Sequence, residues 1–420
     1  MSNAASTTFI ILAGGIGKRL YPFTIDKTLI PVCGKPLIEH TLEQIARIGG
    51  SNVIMVTNER NHHWATEYSH PQLSIQLVQQ PQADGMGGAV LAAAENKVTS
   101  PVIIMNEVDQ VSDSLFADVF SKATADNFLI TGIEQTEYFP GGYLQLDQDR
   151  VVSIVEKPAE GTQPSNFVNL VFHYFSQLQP FIEILKQTDL SSDDQYERAL
   201  ATLMKEQQVL FVPYRDYWQA LKYPHMLLDV AELYLEQRLQ PTNLAQDQAE
   251  LQLSISPQAT ISGPVQFGRS VTVEAGAVIK GPAYIGDNVT VGTNSLVRSS
   301  IIESNCIIGF GSEVARSYLG PNCALHHNFI GDSVLEGNCN PSWGTCFANW
   351  RFDNQPVALS YPSGKIKSNR PKLGAIVGNN GFFGVNCSIM PGSVVAPDTQ
   401  VYPGLVVKGQ LEGVIKTNTV

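Results

Sequence analysis

The sequence predicts two domains of different fold classes, an α/β domain with a parallel sheet and, after it, a left-handed parallel β-helix of hexapeptide repeats. Two observations predict this. The first half alternates short apolar runs with helical patterns, and the second half repeats an aliphatic residue every six positions. The change comes near residue 245, in a polar stretch that follows a helical pattern at 231–239. We therefore predict domains at 1–240 and 251–420, joined by a linker at 241–250.

Strands and helices alternate along the first domain. An apolar run at 9–13 predicts a buried strand, and apolar residues at helical spacing predict a helix over 36–49. Further strands are predicted at 52–58, 74–80 and 101–109, and a further helix at 87–97. Because parallel strands joined by helices bring their carboxyl ends to one edge of the sheet, we expect ligands at that edge.

The second domain has a six-residue period. In a parallel β-helix each periodic residue enters a triangular coil, whereas a β-sandwich alternates every two residues, with turns about every 8–12 residues. Glycines and small polar residues fill the intervals. The period runs without a miss through Ile255, Ile261, Phe267, Val273, Ile279, Ile285, Val291 and Val297, and it resumes at Ile389, Val395, Val401 and Val407.

Composition limits the classes of partner. The 420 residues include 27 Lys and Arg against 39 Asp and Glu, which gives a net charge of −12. Nucleic-acid polymers and anionic membranes attract cationic surfaces, so we expect neither as the main partner, whereas small phosphorylated ligands need only a local cationic pocket. No apolar run approaches a membrane span, and the first eight residues lack the features of a signal peptide. Six scattered cysteines without a C-x-x-C pair favour a reducing cytoplasm over a zinc site or a disulfide framework.

The clearest chemical signal is a glycine-rich loop directly after the first strand. Its glycines at 14, 15 and 17 allow backbone N–H groups to approach phosphate oxygens. It is not a Walker A loop, which needs glycine where Leu12 stands, nor a dinucleotide fingerprint, because Leu20 occupies the third glycine position. A turn followed by solvated lysines is the alternative interpretation. Four cations crowd the same segment: Lys18, Arg19, Lys27 and Lys35.

This segment resembles the signature of sugar-1-phosphate nucleotidyltransferases, G-G-x-G-T-R-L-x-P-x-T followed by a lysine and a proline. Lys27 and Pro31 keep the spacing of that last pair, although Lys18 replaces the usual threonine. Further segments similar to the family follow in family order, at 80–89, 106–111, 156–158, 168–174 and 217–228. The resemblance implies a Rossmann-like nucleotidyltransferase domain that binds the nucleotide through Leu12, Ala13, Gly14, Gly15, Gln80 and Gly85.

The reaction that this resemblance implies joins an NTP and a hexose or N-acetylhexosamine 1-phosphate to give an NDP-sugar and pyrophosphate. Catalysis of this kind is mostly positioning and charge neutralisation. Arg19 and Lys27 would offset phosphate charge, and Asp109 would bind Mg²⁺. One departure weakens the metal site, because Ala220 stands where the family has the acidic residue of its W-x-D segment. The sugar phosphate would be bound by Gly142, Glu156, Lys157 and Asn169.

The repeat domain resembles the acetyltransferase domain of archaeal-type bifunctional sugar-1-phosphate nucleotidyltransferase/glucosamine-1-phosphate acetyltransferases. Segments such as GPAYIGDNVTVG at 281–292 and WGTCFANWRFD at 343–353 carry the resemblance. It implies that His326 is the base for acetyl transfer, that Asn349 binds acetyl-CoA and that Arg298 binds the sugar phosphate. The loss of two cations is expected to weaken anionic ligands. The departures are Phe329 for a tyrosine, and Ala315 and Gln355 for lysines.

Two interpretations of the whole chain stay open. In the first, the protein is an enzyme that forms NDP-sugars, with an impaired acetyltransferase domain and a homotrimer built on the β-helix. In the second, it is a catalytically weak regulatory or scaffold subunit whose β-helix serves trimerisation, which the missing carboxylate and lysines favour. Two smaller alternatives are that Glu156 and Lys157 form a surface pair and that His326 is a structural histidine at a coil corner.

Overall fold

The chain forms two compact units. The computed structural model describes residues 2–80, 84–96, 98–189, 194–362 and 364–419. The first unit is Met1–Ile16 with Ile38–Trp218, and the second is Gly17–Leu37 with Gln219–Val420. The segment that follows the first glycines of the loop therefore belongs, by its contacts, to the unit that contains the β-helix.

The elements up to residue 250 alternate between strands and helices. The strands are β1 Thr8–Ala13, β2 Pro31–Val32, β3 Lys35–Pro36, β4 Asn52–Thr57, β5 Ser74–Gln79, β6 Val102–Asn106, β7 Gln110–Val111, β8 Phe128–Glu134, β9 Gly142–Asp147, β10 Arg150–Glu156, β11 Phe167–Phe175, β12 Val209–Tyr214 and β13 Trp218–Gln219. The α-helices are α1 Ser2–Ser6, α2 Leu37–Arg47, α3 Glu59–Glu67, α4 Gly85–Ala94, α5 Asp113–Lys122, α6 Gln179–Gln187, α7 Gln195–Glu206, α8 Leu227–Leu233 and α9 Leu244–Asp247.

A nine-stranded sheet of order β5-β4-β1-β6-β11-β8-β12-β10-β9 lies in the first unit. Its first four strands are parallel, with Thr8 opposite both Asn52 and Val102. β11 is antiparallel to β6 and β8, and β10 is antiparallel to β9. The parallel sheet predicted from the strands at 9–13, 52–58, 74–80 and 101–109 is confirmed for those four strands, and β12 is also parallel to β8. The chain returns through β9, β10 and β11 without intervening helices, which antiparallel pairing permits and parallel pairing does not.

Helices cover both faces of this sheet. Consecutive residues of a strand point to opposite faces, so Phe9 and Ile10 enter different layers of the core. On one face α4, α6 and α7 share a buried cluster with Ile10 and Phe181. On the other face the Phe116 ring of α5 lies 6.2 Å from the Phe9 ring and 4.8 Å from the Phe172 ring. This packing fixes where the residues after β1 and β6 stand.

Short parallel strands on three faces form the β-helix of the second unit. The first face holds Ser254–Ile255, Thr272–Val273, Thr290–Val291, Ile307–Ile308, Ala324–Leu325, Asn340–Pro341, Phe382–Phe383, Gln400–Val401 and Val414–Ile415. The second face holds Thr260–Ser262, Val278–Lys280, Leu296–Arg298, Glu313–Ala315, Phe329–Gly331, Cys346–Phe347, Ser388–Ile389 and Val406–Val407. The third face holds Val265–Phe267, Ala283–Ile285, Ile301–Ile302, Tyr318–Leu319, Val334–Leu335, Ile376–Val377, Val394–Val395 and Gln410–Leu411. A hairpin, Ala358–Tyr361 with Gly364–Lys367, is inserted in one coil.

The register explains the hexapeptide period. Ile261 pairs with Ile279, which pairs with Val297, so each coil takes 18 residues, or three hexapeptides. Each face therefore sends one aliphatic residue per coil into a continuous buried core. From Val291 to Ile308 the step shortens to 17 residues, which is why the period breaks after 297. The predicted parallel β-helix is confirmed.

Asparagines form corners of the coils. Asn288, Asn305 and Asn322 adopt φ values of 57°, 60° and 62°, a left-handed conformation that asparagine tolerates better than most side chains. Asn288 Nδ2 donates to Asn305 Oδ1 at 3.1 Å, and Asn305 Nδ2 donates to Asn322 Oδ1 at 3.2 Å. This ladder accounts for small polar residues between the aliphatic positions.

The stretch between the two sequence textures is helical in part. The helix predicted at 231–239 corresponds to α8, which begins earlier, at Leu227, and is followed by a π-helical turn at Tyr234–Arg238. The predicted polar linker contains the short helix α9. Within the described residues, no helix combines the length and the apolar character that crossing a membrane requires.

Candidate functional site

The backbone after β1 forms the candidate phosphate loop. Leu12 and Ala13 are buried, so the loop offers backbone rather than side-chain atoms at these positions. Gly14 lies against Gln80, because a Cβ at position 14 would stand 2.0 Å from the Gln80 Oε1 atom. At Gly15, which is exposed, an added Cβ would meet no described atom within 4 Å. Gly14 thus allows Gln80 to approach the backbone closely, and Gly15 leaves the backbone open to a ligand.

Two asparagines that the sequence analysis missed hold this loop. Asn58 caps helix α3 in a capping box with Asn61. Asn58 Nδ2 donates to the Gly15 carbonyl at 3.1 Å, and Asn61 Nδ2 donates to the Ala13 carbonyl at 2.8 Å. The signal that could have found them is an asparagine at the end of a predicted strand with a second polar residue three positions later.

Gln80 and the start of α4 form one hydrogen-bonded group. Gln80 is 9% exposed, and its Nε2 donates to the Gly85 carbonyl at 3.1 Å and to the Asp84 carboxylate. Gly88 packs against the same carboxylate, which leaves no room for a side chain at that position. The predicted nucleotide residues Gly14, Gln80 and Gly85 are therefore brought together. Residues 81–83 of this segment lie outside the described residues.

The later part of the signature lies in the second unit. Gly17 has a φ of 64°, which glycine adopts without strain, and Arg19 is exposed in the 3-10 turn that follows. Lys27 begins another 3-10 helix, which buried Asp26 caps. The Asp26 carboxylate accepts from the Thr28 N–H at 3.0 Å and from the Thr28 hydroxyl at 2.6 Å. This cap fixes the backbone from which Lys27 extends.

Asp109 follows β6 and is held by two neutral donors. Trp218 Nε1 donates to Asp109 Oδ2 at 3.0 Å, and Asn106 Nδ2 donates to the same oxygen at 3.1 Å. Neutral donors orient a carboxylate without cancelling its charge. The contact of Trp218 with this carboxylate was missed from the sequence.

The described residues fit a metal ion that is bound mainly by substrate. Ala220, in place of a second carboxylate, is only 5% exposed. Among the described residues, no three His, Cys, Asp or Glu side chains form a complete metal site. Mg²⁺ prefers oxygen ligands and usually keeps several waters together with substrate phosphates, so one carboxylate such as Asp109 suits its chemistry.

Gly142 and Glu156 lie opposite each other on β9 and β10. A Cβ at position 142 would stand 3.1 Å from Glu156 Oε2. Glu156 Oε1 lies 2.8 Å from Lys157 Nζ, and the two side chains are 23% and 41% exposed. This geometry fits both a surface pair and a sugar-phosphate site.

Asn169 belongs to a buried hydrogen-bond chain. Asn169 Oδ1 lies 3.0 Å from His173 Nε2, and His173 Nδ1 lies 2.8 Å from the Tyr196 hydroxyl. Burial lowers the pKa of His173 to about 3, so the ring is neutral at pH 7. Its Nε2 then carries the hydrogen and donates to Asn169, while Nδ1 accepts from Tyr196. The chain fixes Asn169 with its amide nitrogen available to donate.

Glu197 is a buried carboxyl that the sequence analysis also missed. It is 7% exposed, and its Oε2 has no hydrogen-bond partner among the described residues. Burial, and then the charge of Glu156, raise its pKa to about 7. Such perturbed carboxyls are concentrated at functional sites. Its place in an amphipathic helix gave no signal, because charged residues there usually face solvent.

The arginines at the candidate acetyl site are paired with carboxylates. Arg298 donates to Glu313 Oε1 through Nε at 3.0 Å and Nη2 at 2.7 Å. Arg316 makes two bonds to Asp332, at 2.8 and 2.7 Å. Asn349 Nδ2 donates to the same Asp332 carboxylate. Arg298 and Asn349, both predicted as ligand-binding residues, are therefore engaged by protein groups.

His326 is exposed at a coil corner, where its backbone N–H donates to Asn328 Oδ1. The next ring, His327, stacks between Phe310 and Trp343, with centroid distances of 6.0 and 5.2 Å. Phe310 and Trp343 are 60% and 56% exposed. Among the described residues no hydrogen bond joins His326 to Asn349.

The three departures from the acetyltransferase pattern lie in different surroundings. Ala315 is fully buried and lies on the ladder between Arg298 and Gly331. The Phe329 ring packs against Gly331, where an added Cβ would stand 2.7 Å from it. Gln355 is exposed beside the carboxylate of Asp353. Of these positions, only Gln355 could take a lysine without repacking.

Comparison with known proteins identifies the family. A family model described as nucleotidyl transferase matches residues 8–237, more than half of the chain. The chain belongs to the nucleotidyl transferase family. The match spans the glycine-rich loop, Asp109 and the segment around Trp218, so the predicted membership is confirmed on the residues that suggested it.

This nucleotidyl transferase is similar to archaeal proteins over nearly its whole length. It is 29% identical over 411 residues to a bifunctional sugar-1-phosphate nucleotidylyltransferase/acetyltransferase of Sulfurisphaera tokodaii, with 94% of this chain and 96% of the relative covered. It is 30% identical over 413 residues to the bifunctional protein GlmU of Methanococcus vannielii, with 96% and 95% covered. Among solved structures, a UDP-glucose pyrophosphorylase complexed with UDP-glucose matches 55% of this chain and 99% of its own, at 19% identity and a TM-score of 0.49.

Proposed function

We propose that the protein transfers a nucleotidyl group from an NTP to a hexose or N-acetylhexosamine 1-phosphate, giving an NDP-sugar and pyrophosphate. The observation that carries this proposal is Asp109, a carboxylate at the end of β6 that Trp218 and Asn106 orient without neutralising it. A carboxylate of this kind at the carboxyl end of the parallel strands suits a metal–nucleotide complex.

In this reaction an oxygen of the sugar phosphate attacks the α-phosphorus of the NTP in line, and the bond to pyrophosphate breaks. The backbone of Gly14 and the open backbone of Gly15 bind phosphate oxygens, while Gln80 and Gly85 bind the base. Arg19 and Lys27 offset the charge that develops on the leaving pyrophosphate and the attacking phosphate.

Mg²⁺ would be held by Asp109, together with phosphate and water oxygens, and when bound it supplies charge neutralisation at the phosphates. The sugar phosphate would be bound by side chains of the first unit. Asn169 donates through its amide nitrogen to a sugar hydroxyl, and Glu156 accepts from another. Lys157 exchanges its contact with Glu156 for the phosphate, and the missing side chain at Gly142 leaves room for the ring.

The test is an assay of pyrophosphate release over a panel of NTPs and hexose 1-phosphates. We expect at least one pair to be turned over with Mg²⁺, and Arg19→Ala to lower kcat/KM by at least roughly a hundredfold. Arg150→Ala is the matched control, because Arg150 is an exposed arginine of the same chain on β10, away from the signature. Equal background turnover by the wild type and Arg19→Ala on every pair would overturn the proposal in favour of a regulatory or scaffold subunit.

We also propose a slow second activity, acetyl transfer from acetyl-CoA to an amino-sugar phosphate. His326 is exposed and suited to accept the proton of the amine, with Asn349 beside acetyl-CoA and Arg298 at the phosphate. The ion pair of Arg298 with Glu313 and the absence of lysine at 315 and 355 support a poor affinity. His326→Ala should abolish the rate, and Gln355→Lys should raise the affinity for acetyl-CoA. A rate unaffected by His326→Ala would show that the base is another residue.

We propose further that the protein is a cytoplasmic homotrimer. On the first face of the β-helix, Ile307, Phe382 and Val414 are 48%, 46% and 53% exposed, and exposed apolar side chains of this kind are suited to association. Light scattering at micromolar concentration should give three times the chain mass, and Phe382→Glu should lower it. A monomer mass for the wild type would contradict this.

A further inference from the structure

The segment that carries Arg19 and Lys27 is bound by the β-helix. This segment, Gly17–Leu37, belongs to the second unit, and polar side chains of the third face contact its backbone. The contacts are separated in sequence by about 300 residues, so no local pattern announces them. The Glu336 carboxylate accepts hydrogen bonds from the backbone N–H groups of Thr24 and Ile25. The Tyr318 hydroxyl donates to the Pro31 carbonyl at 2.8 Å, and Glu303 Oε2 accepts from the Gly34 N–H at 3.1 Å.

Glu336 makes the largest number of these contacts. Its Oε1 accepts from the Thr24 N–H at 2.6 Å, the Thr24 hydroxyl at 2.9 Å and the Ile25 N–H at 2.7 Å. Its Oε2 accepts from the Asn379 N–H at 2.7 Å, in the next coil. The residue is 8% exposed, so water competes little for these bonds. Charge-assisted bonds of this kind hold a backbone more firmly than neutral bonds do.

The position of Glu336 in its coil supports a dedicated role. It directly follows the strand Val334–Leu335 of the third face, and glycines follow three neighbouring strands of that face, at 286, 320 and 378. A Cβ at these glycines would stand 2.8, 1.8 and 2.8 Å from backbone atoms. Close packing thus excludes side chains there. Carboxylates occur instead at 303, 336 and 412, and those of Glu303 and Glu336 accept hydrogen bonds from the backbone of Gly17–Leu37.

The contact is directly adjacent to the predicted phosphate-binding lysine. Glu336 fixes residues 24 and 25, and Asp26 then caps the turn in which Lys27 lies. We propose that Glu336 is a positioning residue for nucleotidyl transfer, which acts through the backbone of residues 24–26 on Lys27. This inference rests on the proposed function.

The test is steady-state kinetics of Glu336→Ala in the full-length protein. Because misplacing a group that acts on the transition state affects the chemical step, kcat should fall by roughly ten- to a hundredfold, with little change in KM for NTP. Glu336→Gln retains an oxygen for Thr24 and Ile25 but turns its amide nitrogen toward the Asn379 N–H, so it should recover part of kcat, whereas Glu336→Asp is one methylene too short and should not. Hydrogen exchange should show faster exchange of the Thr24 and Ile25 amides in Glu336→Ala.

The chain offers a matched control in Glu274. It also directly follows a β-helix strand, and its Oε2 accepts from the Thr293 N–H at 2.8 Å and the Thr293 hydroxyl at 2.7 Å, but it is exposed and bonds within the coils. Glu274→Ala should leave kcat unchanged. Wild-type kcat in Glu336→Ala, or an equal loss in Glu274→Ala, would overturn the inference while the proposed function stands. A wild type without turnover would overturn the proposed function, and the positioning role with it, even if the amides of 24 and 25 exchange faster.

Discussion

The candidate metal ligand of the α/β unit and the arginines of the β-helix are held in opposite ways. In the α/β unit, Asp109 is oriented by an indole N–H and an amide, which leave its charge intact. In the β-helix, Arg298 and Arg316 are each paired with a carboxylate through two hydrogen bonds. A charge held by neutral donors stays available to a ligand, whereas an ion pair must be broken first. We therefore expect nucleotidyl transfer to be faster than acetyl transfer.

The largest effect should come from removing the charge that the α/β unit preserves. Asp109→Asn retains an oxygen that accepts from Trp218, so the fold should persist, but the anion is lost. We expect kcat/KM for nucleotidyl transfer to fall by at least roughly a hundredfold, with a much weaker response to Mg²⁺. Initial rates over a magnesium titration measure this, and unchanged kinetics would show that nucleotidyl transfer does not need the charge of Asp109.

Stability should also depend on pH through buried groups in both units. Burial raises the pKa of Glu303 to about 8, against about 4.3 for an unfolded chain. Between these values the folded state retains a proton that the unfolded state has lost, so stability falls as pH rises, by about 1.4 kcal/mol per pH unit. Glu303→Gln should reduce this slope, and a remaining part below about pH 7 comes from Glu197 of the α/β unit, whose pKa burial raises to about 7. For buried His173, whose pKa is about 3, the sign is reversed, and stability rises with pH up to about 6.5.

Urea unfolding followed by circular dichroism at pH 6 and pH 8 measures the slope. The groups that face Glu303 are Cys33, Tyr284, Tyr318 and Asp287, and burial raises the pKa of the first three well above 8, so they stay neutral in this range. A wild type whose stability is equal at both pH values, or a Glu303→Gln variant with the same slope as the wild type, would refute the assignment.

A smaller effect is expected from weakening the orientation of Asp109 while keeping its charge. Trp218→Phe removes the indole N–H and retains an aromatic ring against Phe139, which lies 4.8 Å away between centroids. Loss of an outer partner of this kind should raise the Mg²⁺ concentration needed for half-maximal rate by roughly tenfold. A magnesium titration with unchanged midpoint would show that Trp218 only packs.

The smallest effect is expected from freeing an arginine in the β-helix. Glu313→Gln removes the carboxylate that is paired with Arg298. In this pair the Arg298 side chain is 36% exposed and the Glu313 side chain 33%. Since partly exposed pairs are weak, the affinity for glucosamine 1-phosphate should improve by only roughly threefold. Isothermal titration calorimetry measures this, with Glu274→Gln as control. A lower affinity in Glu313→Gln would mean that the carboxylate itself contacts the ligand.

The repeating part of the fold was predictable and the irregular part was not. The period of six predicted the short strands of the β-helix from Ile261 to Val297, because three hexapeptides make one coil. It could not predict the coils of 16 or 17 residues that follow, since losing one or two residues at a corner leaves the core residue in place but shifts the spacing. The antiparallel strands after β8 were missed because apolar alternation does not encode strand direction.

Contacts within the candidate site could be predicted from the sequence only between residues that are close together in the chain. The glycines at 14 and 15 and the cations at 19 and 27 stand in one continuous segment. Trp218 reaches Asp109 across 109 residues, and Glu336 reaches Thr24 across 312. Long-range contacts like these leave no spacing in the sequence, and only the structure reveals them.

The central claim is that nucleotidyl transfer is the principal activity and acetyl transfer a minor one. The most direct test measures both on one preparation of the full-length protein, as pyrophosphate release with NTP and sugar 1-phosphate and as thiol release from acetyl-CoA with an amino-sugar phosphate. We predict Mg²⁺-dependent pyrophosphate release that Asp109→Asn abolishes, and thiol release that is far slower. Rapid thiol release without pyrophosphate release on any substrate pair would contradict the account.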